Sequence, residues 1–163
     1  MILVTVGMQL GFDRLIEAMD ALAPDLDMPV IAQTGKGTYA PKNMEARVKI
    51  APDEFESLVQ QSRLIVSHAG IGTVLTAARF SKPILLFARR ADLGEHRNDH
   101  QLATVRHLKN RPGILTAETA QELPKRIAEG LEQHEVAHRT ASAQAQQLNQ
   151  AVAQFIESGS LSR

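Results

Sequence analysis

The chain has 163 residues, among them 18 Lys and Arg and 18 Asp and Glu, so its formal net charge is zero with the six His neutral. This length predicts one domain, since domains usually have about 100–200 residues. The absence of cysteine excludes disulfide frameworks, thiol catalysis and zinc sites built on cysteine. The balanced charge argues against nucleic-acid coating and polybasic membrane binding, and five Phe and one Tyr without Trp offer few platforms for stacking bases.

The amino-terminal stretch is apolar but short. Residues 1–6 read MILVTV with no basic residue among them, and Gly7 follows, which predicts a buried strand and not a signal peptide. No apolar run reaches the roughly 20 residues that a membrane-spanning helix needs. We therefore expect a soluble, cytoplasmic protein.

Apolar runs of strand length alternate with amphipathic stretches of helix length along the whole chain. Asp53 followed by Glu56 has capping-box spacing, which predicts a helix that begins with Asp53 as its N-cap. The predicted elements in chain order are strand 2–6, helix 12–22, strand 29–33, strand 47–50, helix 53–61, strand 64–66, helix 72–80, strand 83–87, helix 98–108, strand 113–115, and helices 119–131 and 136–156.

Wholly apolar strands separated by helices are typical of a parallel sheet that is covered on both faces. We therefore predict an α/β fold, a Rossmann-like open parallel sheet of about six strands with helices on both faces. No internal repeat or linker interrupts the chain, so residues 1–163 are interpreted as a single domain. Segment 132–163 is interpreted as a closing helical segment that either packs on its own sheet or docks a partner.

Small residues follow the predicted strands, where an open parallel sheet binds its ligands. The loop after the fourth strand reads SHAGIGT over 67–73 and opens a helix. Backbone amides at a helix amino terminus, freed by small residues, form an anion site, and His68 and the hydroxyls of Ser67 and Thr73 can add hydrogen bonds. The alternative is a tight turn with a buried His. The loop has no Lys of the P-loop type, which argues against hydrolysis of a nucleoside triphosphate.

A second polar group of residues follows the fifth strand. Residues 94–101 read GEHRNDHQ, and Arg89 and Arg90 precede them. Cations suit phosphate, and carboxylate and amide groups suit hydroxyls, so the mixture favours a phosphorylated, hydroxyl-rich ligand. Two alternatives remain, a metal held by His96 and His100 or a solvated charged loop.

A third pattern would suggest a metal site, but its position in the chain argues against this. Asp25-Leu26-Asp27 matches the DxD signature by which some sugar-nucleotide enzymes hold a divalent cation. It lies between the first helix and the second strand, at the opposite edge of the sheet. We interpret it as a solvated turn.

Four segments carry a family resemblance: SHAGIGT over 67–73, Lys82-Pro83, GEHRNDHQ over 94–101 and the start VTVG over 4–7. Together they resemble the carboxyl-terminal domain of family 28 glycosyltransferases. This domain is the donor-binding lobe of the two-lobed GT-B fold. The chain is similar to stand-alone versions of it, namely the catalytic subunit of a split UDP-GlcNAc transferase and the E subunit of a bacterial exopolysaccharide glucuronosyltransferase. In such proteins a separate membrane-associated subunit supplies the acceptor lobe.

The resemblance implies a role for each matching residue, with no metal or other cofactor. The diphosphate of a UDP-sugar is expected at Ser67, His68, Gly70, Gly72, Thr73 and Gly7, and the sugar hydroxyls at His100, Gln101 and Asp99. Arg89, Arg90 and Arg97 are candidate additional phosphate contacts, and Thr76 stands where related enzymes carry a ribose-binding Glu. His68 is the best candidate for stabilising the leaving group, and no general base is identified.

The resemblance implies an inverting glycosyltransferase subunit for polysaccharide synthesis. It would transfer a hexosyl, N-acetylhexosaminyl or glucuronosyl group to a lipid-linked acceptor, bound to a partner at the inner face of the membrane. An alternative is a nucleotide-sugar-binding or regulatory module without catalysis, which the Thr76 position favours. A metal-dependent hydrolase using His96, Asp99 and His100 is a third hypothesis. Self-association of the isolated chain stays open.

Overall fold

The structure is a computed structural model that describes residues 1–137, 150 and 152–154. In this part of the chain, six strands form a single sheet: β1 Ile2–Thr5, β2 Val30–Gln33, β3 Glu45–Arg47, β4 Leu64–His68, β5 Ile84–Phe87 and β6 Ile114–Ala117. The helices are α1 Asp13–Leu22, α2 Pro52–Gln61, α3 Ile71–Arg79, α4 His100–Leu108 and α5 Leu123–Ala137. Short 3-10 turns cover Ala23–Asp25, Ala91–Leu93 and Ala120–Glu122.

The strand order is β3-β2-β1-β4-β5-β6, and every neighbouring pair is parallel. From β1 the chain builds outward through β2 to β3, then crosses back and places β4 on the other side of β1. The loops after β1 and β4 therefore leave in opposite directions and open a crevice between them. In sheets of this kind, ligands bind at that crevice. The predicted Rossmann-like α/β fold is confirmed.

Alternate residues of the central strands face two separate apolar clusters. Ile2 and Val4 belong to the cluster that includes residues of α1 and α5, while Leu3 faces the cluster that includes residues of α2, α3 and α4. Both faces of the sheet are thus covered, which explains why these strands show no polar alternation. Each fully buried Leu or Ile contributes roughly 1.5–3 kcal/mol to stability.

Two local predictions are wrong. The third strand covers 45–47 instead of 47–50, because this edge strand has exposed side chains and no apolar run to mark it. Helix α2 begins at Pro52 after an extended Ala51, and no side chain caps it. Proline is favoured at the first position of a helix, because its φ is preset and the amide it lacks has no partner within the helix. Asp53 therefore lies inside the first turn and is not the N-cap.

The closing segment is only partly described. Helix α5 continues to Ala137, beyond the predicted end at 131, and Val152 is fully buried in the cluster with α2, α3 and α4. At Val152, therefore, the segment packs on its own sheet. The rest of the predicted helix 136–156 lies outside the described residues. In the part of the chain that is described, no helix has the length and apolar character needed to cross a membrane.

Candidate functional site

The loops after β1, β4 and β5 meet at the carboxyl edge of the sheet, around the crevice between β1 and β4. Gly7 lies next to the imidazole of His68, since a Cβ added at Gly7 would lie 3.0 Å from His68 Cε1. Gly7 also has a φ of +75°, a left-handed conformation that favours glycine. Glycine at this position lets the first loop approach the imidazole closely.

His68 is the last residue of β4 and lies half-buried between two glycines. A Cβ at Gly70 would collide with its Nε2. On the other side of the ring, Nδ1 lies 3.3 Å from Ser67 Oγ and 3.5 Å from the carbonyl oxygen of Thr5. The Ser67 hydroxyl donates its hydrogen to the His68 carbonyl oxygen, at 2.8 Å, so both neighbours of Nδ1 are acceptors. A neutral ring then carries its proton on Nδ1 and presents the lone pair of Nε2.

The imidazole is held in its neutral form. Burial, with a further contribution from the charge of Arg89, lowers the pKa of His68 from 6.5 to about 4. A strongly perturbed histidine in a crevice is a frequent property of functional sites. An anion bound beside Nε2 would offset both effects and favour the protonated ring, which can donate from both nitrogens.

Helix α3 presents an uncapped amino terminus to the same crevice. Gly70 is its N-cap residue with φ −91° and ψ 129°, and no side chain bonds the first amides. Gly72 is exposed, and a Cβ added there would meet no atom within 4 Å. Free amides and the helix dipole make this terminus suitable for a phosphate. Thr73 lies half-buried in the same turn, while Thr76 donates its hydroxyl to the Gly72 carbonyl oxygen at 3.0 Å.

Two of the predicted ligand-binding side chains are buried in the protein. Ser67 is fully buried, and Gln101 is 7% exposed. Gln101 Oε1 accepts hydrogen bonds from the backbone amides of Ala69, at 3.2 Å, and Arg89, at 3.0 Å. This residue thereby joins the loop after β4 to the loop after β5. Direct contact of either side chain with a sugar or phosphate stays a prediction.

Among the other predicted residues of the β5–α4 loop, Arg89 is buried, whereas Arg90, Arg97, Asp99 and His100 are exposed. Arg90 forms an ion pair with Asp92, and Asp99 accepts a hydrogen bond from the Ala91 amide at 3.1 Å. His100 is the first residue of α4, and Arg97 lies three residues before it. These groups lie in the loop that follows β5, next to β4 in the sheet, so the structure places them on the same edge as His68.

Arg14 forms a link that sequence reasoning did not find. Its guanidinium donates to both carboxylate oxygens of Glu95, at 2.7 and 2.8 Å, and to the Ala88 carbonyl oxygen at 2.8 Å. It also lies 4.2 Å from the centre of the Phe87 ring, which stacks on Phe12. The pair joins α1 to the β5–α4 loop. No local pattern marks it, since the partners are 81 positions apart.

Two carboxylates of α1 fix the segment between β2 and β3. Asp13 accepts from the amide and hydroxyl of Thr38. Asp20 is buried and accepts from the amides of Lys42 and Asn43 and from the Tyr39 hydroxyl. Burial of Asp20 acts in the opposite sense, yet these hydrogen bonds hold the pKa of its carboxyl below the ordinary value. The segment is thereby held in one position next to the first loop.

The possible metal ligands are dispersed in this structure. Among the described residues, no group of three or more His, Asp or Glu side chains is placed to hold a metal ion. His96 Nδ1 lies 3.1 Å from Asn98 Oδ1 of its own loop. Asp25 and Asp27 are exposed in the connection from α1 to β2, at the amino edge of the sheet, as the sequence predicted.

Several exposed apolar side chains lie on the same edge of the sheet as the crevice. Among the described residues, five large apolar side chains are exposed, and four of them lie in loops that follow strands: Met8, Leu10, Val48 and Leu93. We call these four residues the apolar rim. Exposed apolar side chains gathered at one edge of a protein are a common property of interaction surfaces.

Residues 1–156 match the family described as glycosyltransferase family 28 C-terminal domain. Solved structures with a similar fold include the spinosyn forosaminyltransferase SpnP, with TM-score 0.59 and 20% identity, and MurG of Acinetobacter baumannii, with 0.58 and 18%. The calicheamicin glycosyltransferase CalG4 is similar as well, with TM-score 0.58 and 22% identity.

In each case 93% of this chain is covered, but only 39%, 49% and 38% of the respective neighbour, so the chain spans less than half the length of these proteins. At these identities the likeness shows the fold. Among curated proteins, none matches the chain.

Proposed function

Since this chain belongs to the glycosyltransferase family 28 C-terminal domains, we propose that it binds the UDP-sugar donor of a glycosyltransferase whose acceptor lobe is a separate subunit. The observation that carries the proposal is the contact of Gly7, His68 and the open amino terminus of α3 at one crevice. Such a crevice offers amide donors and a titratable imidazole to a diphosphate.

The proposed reaction follows from where charge develops. The acceptor hydroxyl oxygen bonds to the anomeric carbon as the bond from that carbon to the diphosphate oxygen breaks, with inversion. The electron pair moves to the leaving UDP, and the hydroxyl proton leaves to a base or water outside the residues assigned here. Amides of α3 and a protonated His68 would stabilise the leaving diphosphate. In this proposal no metal is needed, because amides and arginines neutralise the phosphates.

The resemblance of the motifs also supports proposals for the donor sugar, the acceptor and the roles of single residues. We propose a hexosyl, N-acetylhexosaminyl or glucuronosyl donor, a lipid-linked acceptor, and a role in exopolysaccharide synthesis at the inner face of the membrane. His100, Asp99 and Gln101 would face the sugar, and Arg90 and Arg97 would reach the phosphates. The departure at Thr76, whose hydroxyl is already bonded within α3, favours a binding module without catalysis as the second candidate.

The apolar rim supports the proposed partner. Its four residues, Met8, Leu10, Val48 and Leu93, are exposed on loops at the same edge of the sheet as the crevice. An acceptor lobe seated on this edge would bury them and enclose the reacting groups from water.

A small side chain at Gly72 tests the diphosphate site. There is room for the Cβ of Gly72→Ala, so we expect the variant to fold as the wild type does, while the methyl group obstructs a phosphate at the amides of α3. UDP affinity measured by calorimetry should fall by about tenfold or more, the scale of lost charge-assisted hydrogen bonds. His68→Ala should weaken UDP binding as well, without unfolding the protein.

The matched control is Gln133→Ala, which changes an exposed position of α5. Its affinity should equal that of the wild type. Unchanged affinity in both Gly72→Ala and His68→Ala would remove the diphosphate site from the crevice. Loss of turnover in EDTA, measured as UDP release in the presence of the partner, would contradict the metal-independent mechanism.

A further inference from the structure

Arg89 is the one charged side chain of the β5–α4 loop that is buried. It follows β5 by two residues and is 4% exposed. Its Nη2 donates to the carbonyl oxygens of Val6, at 2.7 Å, and Leu10, at 2.8 Å. Val6 and Leu10 stand on either side of the loop that contains Gly7. The guanidinium therefore holds both ends of the loop that contacts His68.

The charge of Arg89 is not neutralised within the described part of the chain. There, no carboxylate lies within ion-pair distance of its guanidinium, and its Nε is buried without a hydrogen-bond partner. Among the described residues Nε is the only buried side-chain nitrogen or oxygen left in this state. Burial lowers the pKa of the guanidinium, while the charge of Glu95 acts in the opposite direction. Buried charges are ordinarily paired, so this arrangement costs stability.

Arg14 provides a comparison within the same structure. Both arginines lie against the Phe12 ring and both donate to backbone carbonyl oxygens, yet Arg14 also has a two-point ion pair with Glu95. The fold thus pairs one arginine with a carboxylate and leaves its neighbour without one. Of the two arginines, Arg89 is therefore the one whose charge can still act on other groups at this edge.

We propose that Arg89 is a positioning residue, which holds the Val6–Leu10 loop against His68 and whose unneutralised charge lies behind the crevice to attract the anionic part of the ligand. It acts through the loop and through its field, and it needs no direct contact with the ligand. A charge in a dry environment acts over a longer range than one in water, because solvent does not screen it. The exposed Arg90 is screened and already paired with Asp92.

This inference rests on the proposed function, and the experiment separates the two. Calorimetry with UDP and with inorganic pyrophosphate is carried out on the wild type, Arg89→Met, Arg89→Lys and Arg106→Gln. We expect Arg89→Met to weaken both ligands by about tenfold, since a unit charge acting over several ångströms in protein has that magnitude. Arg89→Lys keeps the charge and should recover most of the affinity. Arg106→Gln removes an exposed charge from α4 and should bind as the wild type does.

The outcomes are distinct. A wild type that binds neither ligand contradicts the proposed function. Wild-type binding with equal affinity in Arg89→Met overturns the inference and leaves the function standing. If Arg89→Lys binds as weakly as Arg89→Met, the arginine has a structural role only, and the inference fails.

A measurement on the wild type decides the matter if Arg89→Met does not fold. The buried Nε–H of Arg89 should give a slowly exchanging guanidinium signal in NMR, assigned by its loss in Arg89→Lys. Saturating pyrophosphate should move this signal more than that of Arg14, whose charge is already paired. An Arg89 signal that does not move would overturn the inference.

Discussion

At the scale of single residues, His68 shows how one side chain connects folding to binding. Its imidazole is enclosed by Gly7 and Gly70, and the charge of Arg89 acts in the same direction as burial. A folded chain that excludes the protonated ring must lose stability in acid, because the unfolded chain can still take up the proton. An anion bound beside Nε2 would raise the pKa of the imidazole again and favour its protonated form.

The acid sensitivity of His68 is our first prediction at this scale. Its pKa is about 4 in the folded chain and 6.5 unperturbed, so between these values the unfolded state binds more protons and stability falls as pH falls. The free energy of unfolding is therefore about 3 kcal/mol higher above pH 6.5 than it is towards pH 4, as far as His68 determines it. Chemical denaturation across this range should show a shallower pH dependence for His68→Asn than for the wild type.

Gln133→Ala serves as the comparison, since it changes an exposed, non-ionisable side chain of α5. Its stability should follow the pH dependence of the wild type. If His68→Asn and the wild type have parallel profiles, burial of the imidazole does not exclude its proton and the electrostatic description of the crevice is wrong.

At the scale of elements, the segment between β2 and β3 behaves as part of the fold although it contains no helix. Asp20 of α1 binds the amides of Lys42 and Asn43 and the Tyr39 hydroxyl. Asp20→Asn removes the charge and half of the acceptors, so we expect a stability loss of about 1–3 kcal/mol, typical of hydrogen bonds to a charged group. Thermal unfolding measures the loss, and hydrogen exchange should show faster exchange of the Lys42 and Asn43 amides.

The control for Asp20→Asn is Asp27→Asn, at an exposed position in the connection to β2. It should leave both the melting temperature and these amides unchanged. Equal exchange rates in Asp20→Asn and the wild type would show that the segment is held by something other than this carboxylate.

Most elements could be predicted because burial on both sides of the sheet leaves an uninterrupted apolar run for each central strand, as in β1 and β5. The edge strand β3 was misplaced because two of its three residues are exposed. For the candidate site, the sequence predicted which loops lie on one edge of the sheet, because glycines mark these loops and the order of strands and helices places them. The contacts that support the site were not predicted. Arg14–Glu95 and Arg89–Val6 join positions more than 80 residues apart, so no local sequence pattern marks them.

At the scale of the whole molecule, the chain corresponds to less than half the length of the glycosyltransferases that share its fold. We predict that the isolated chain binds UDP-sugars and releases no UDP, and that co-expression with the product of the neighbouring reading frame gives UDP release. Polar substitution of the apolar rim, Val48→Ser with Leu93→Ser, should reduce this release without changing UDP affinity. Val48 and Leu93 are exposed and lie outside the residues assigned to the donor, so we expect their replacement to affect the proposed docking and not the proposed donor site.

Leu75→Ser is the matched control, because Leu75 is exposed on α3 and is not part of the rim. It should leave UDP release unchanged. Equal turnover by the isolated chain and the co-expressed pair would show that no partner is required.

The position of β1 has a consequence for the order of events during synthesis. Ile2 pairs with Val30 on one side and with Leu64 on the other, so half of the sheet can form well before the second half exists. Gly7 meets His68 only when the long β1–β4 connection closes, and such non-local pairings are the slow steps of folding. We therefore expect the crevice to form late, so that a nascent chain in which Gly7 meets His68 has already joined the two halves of its sheet.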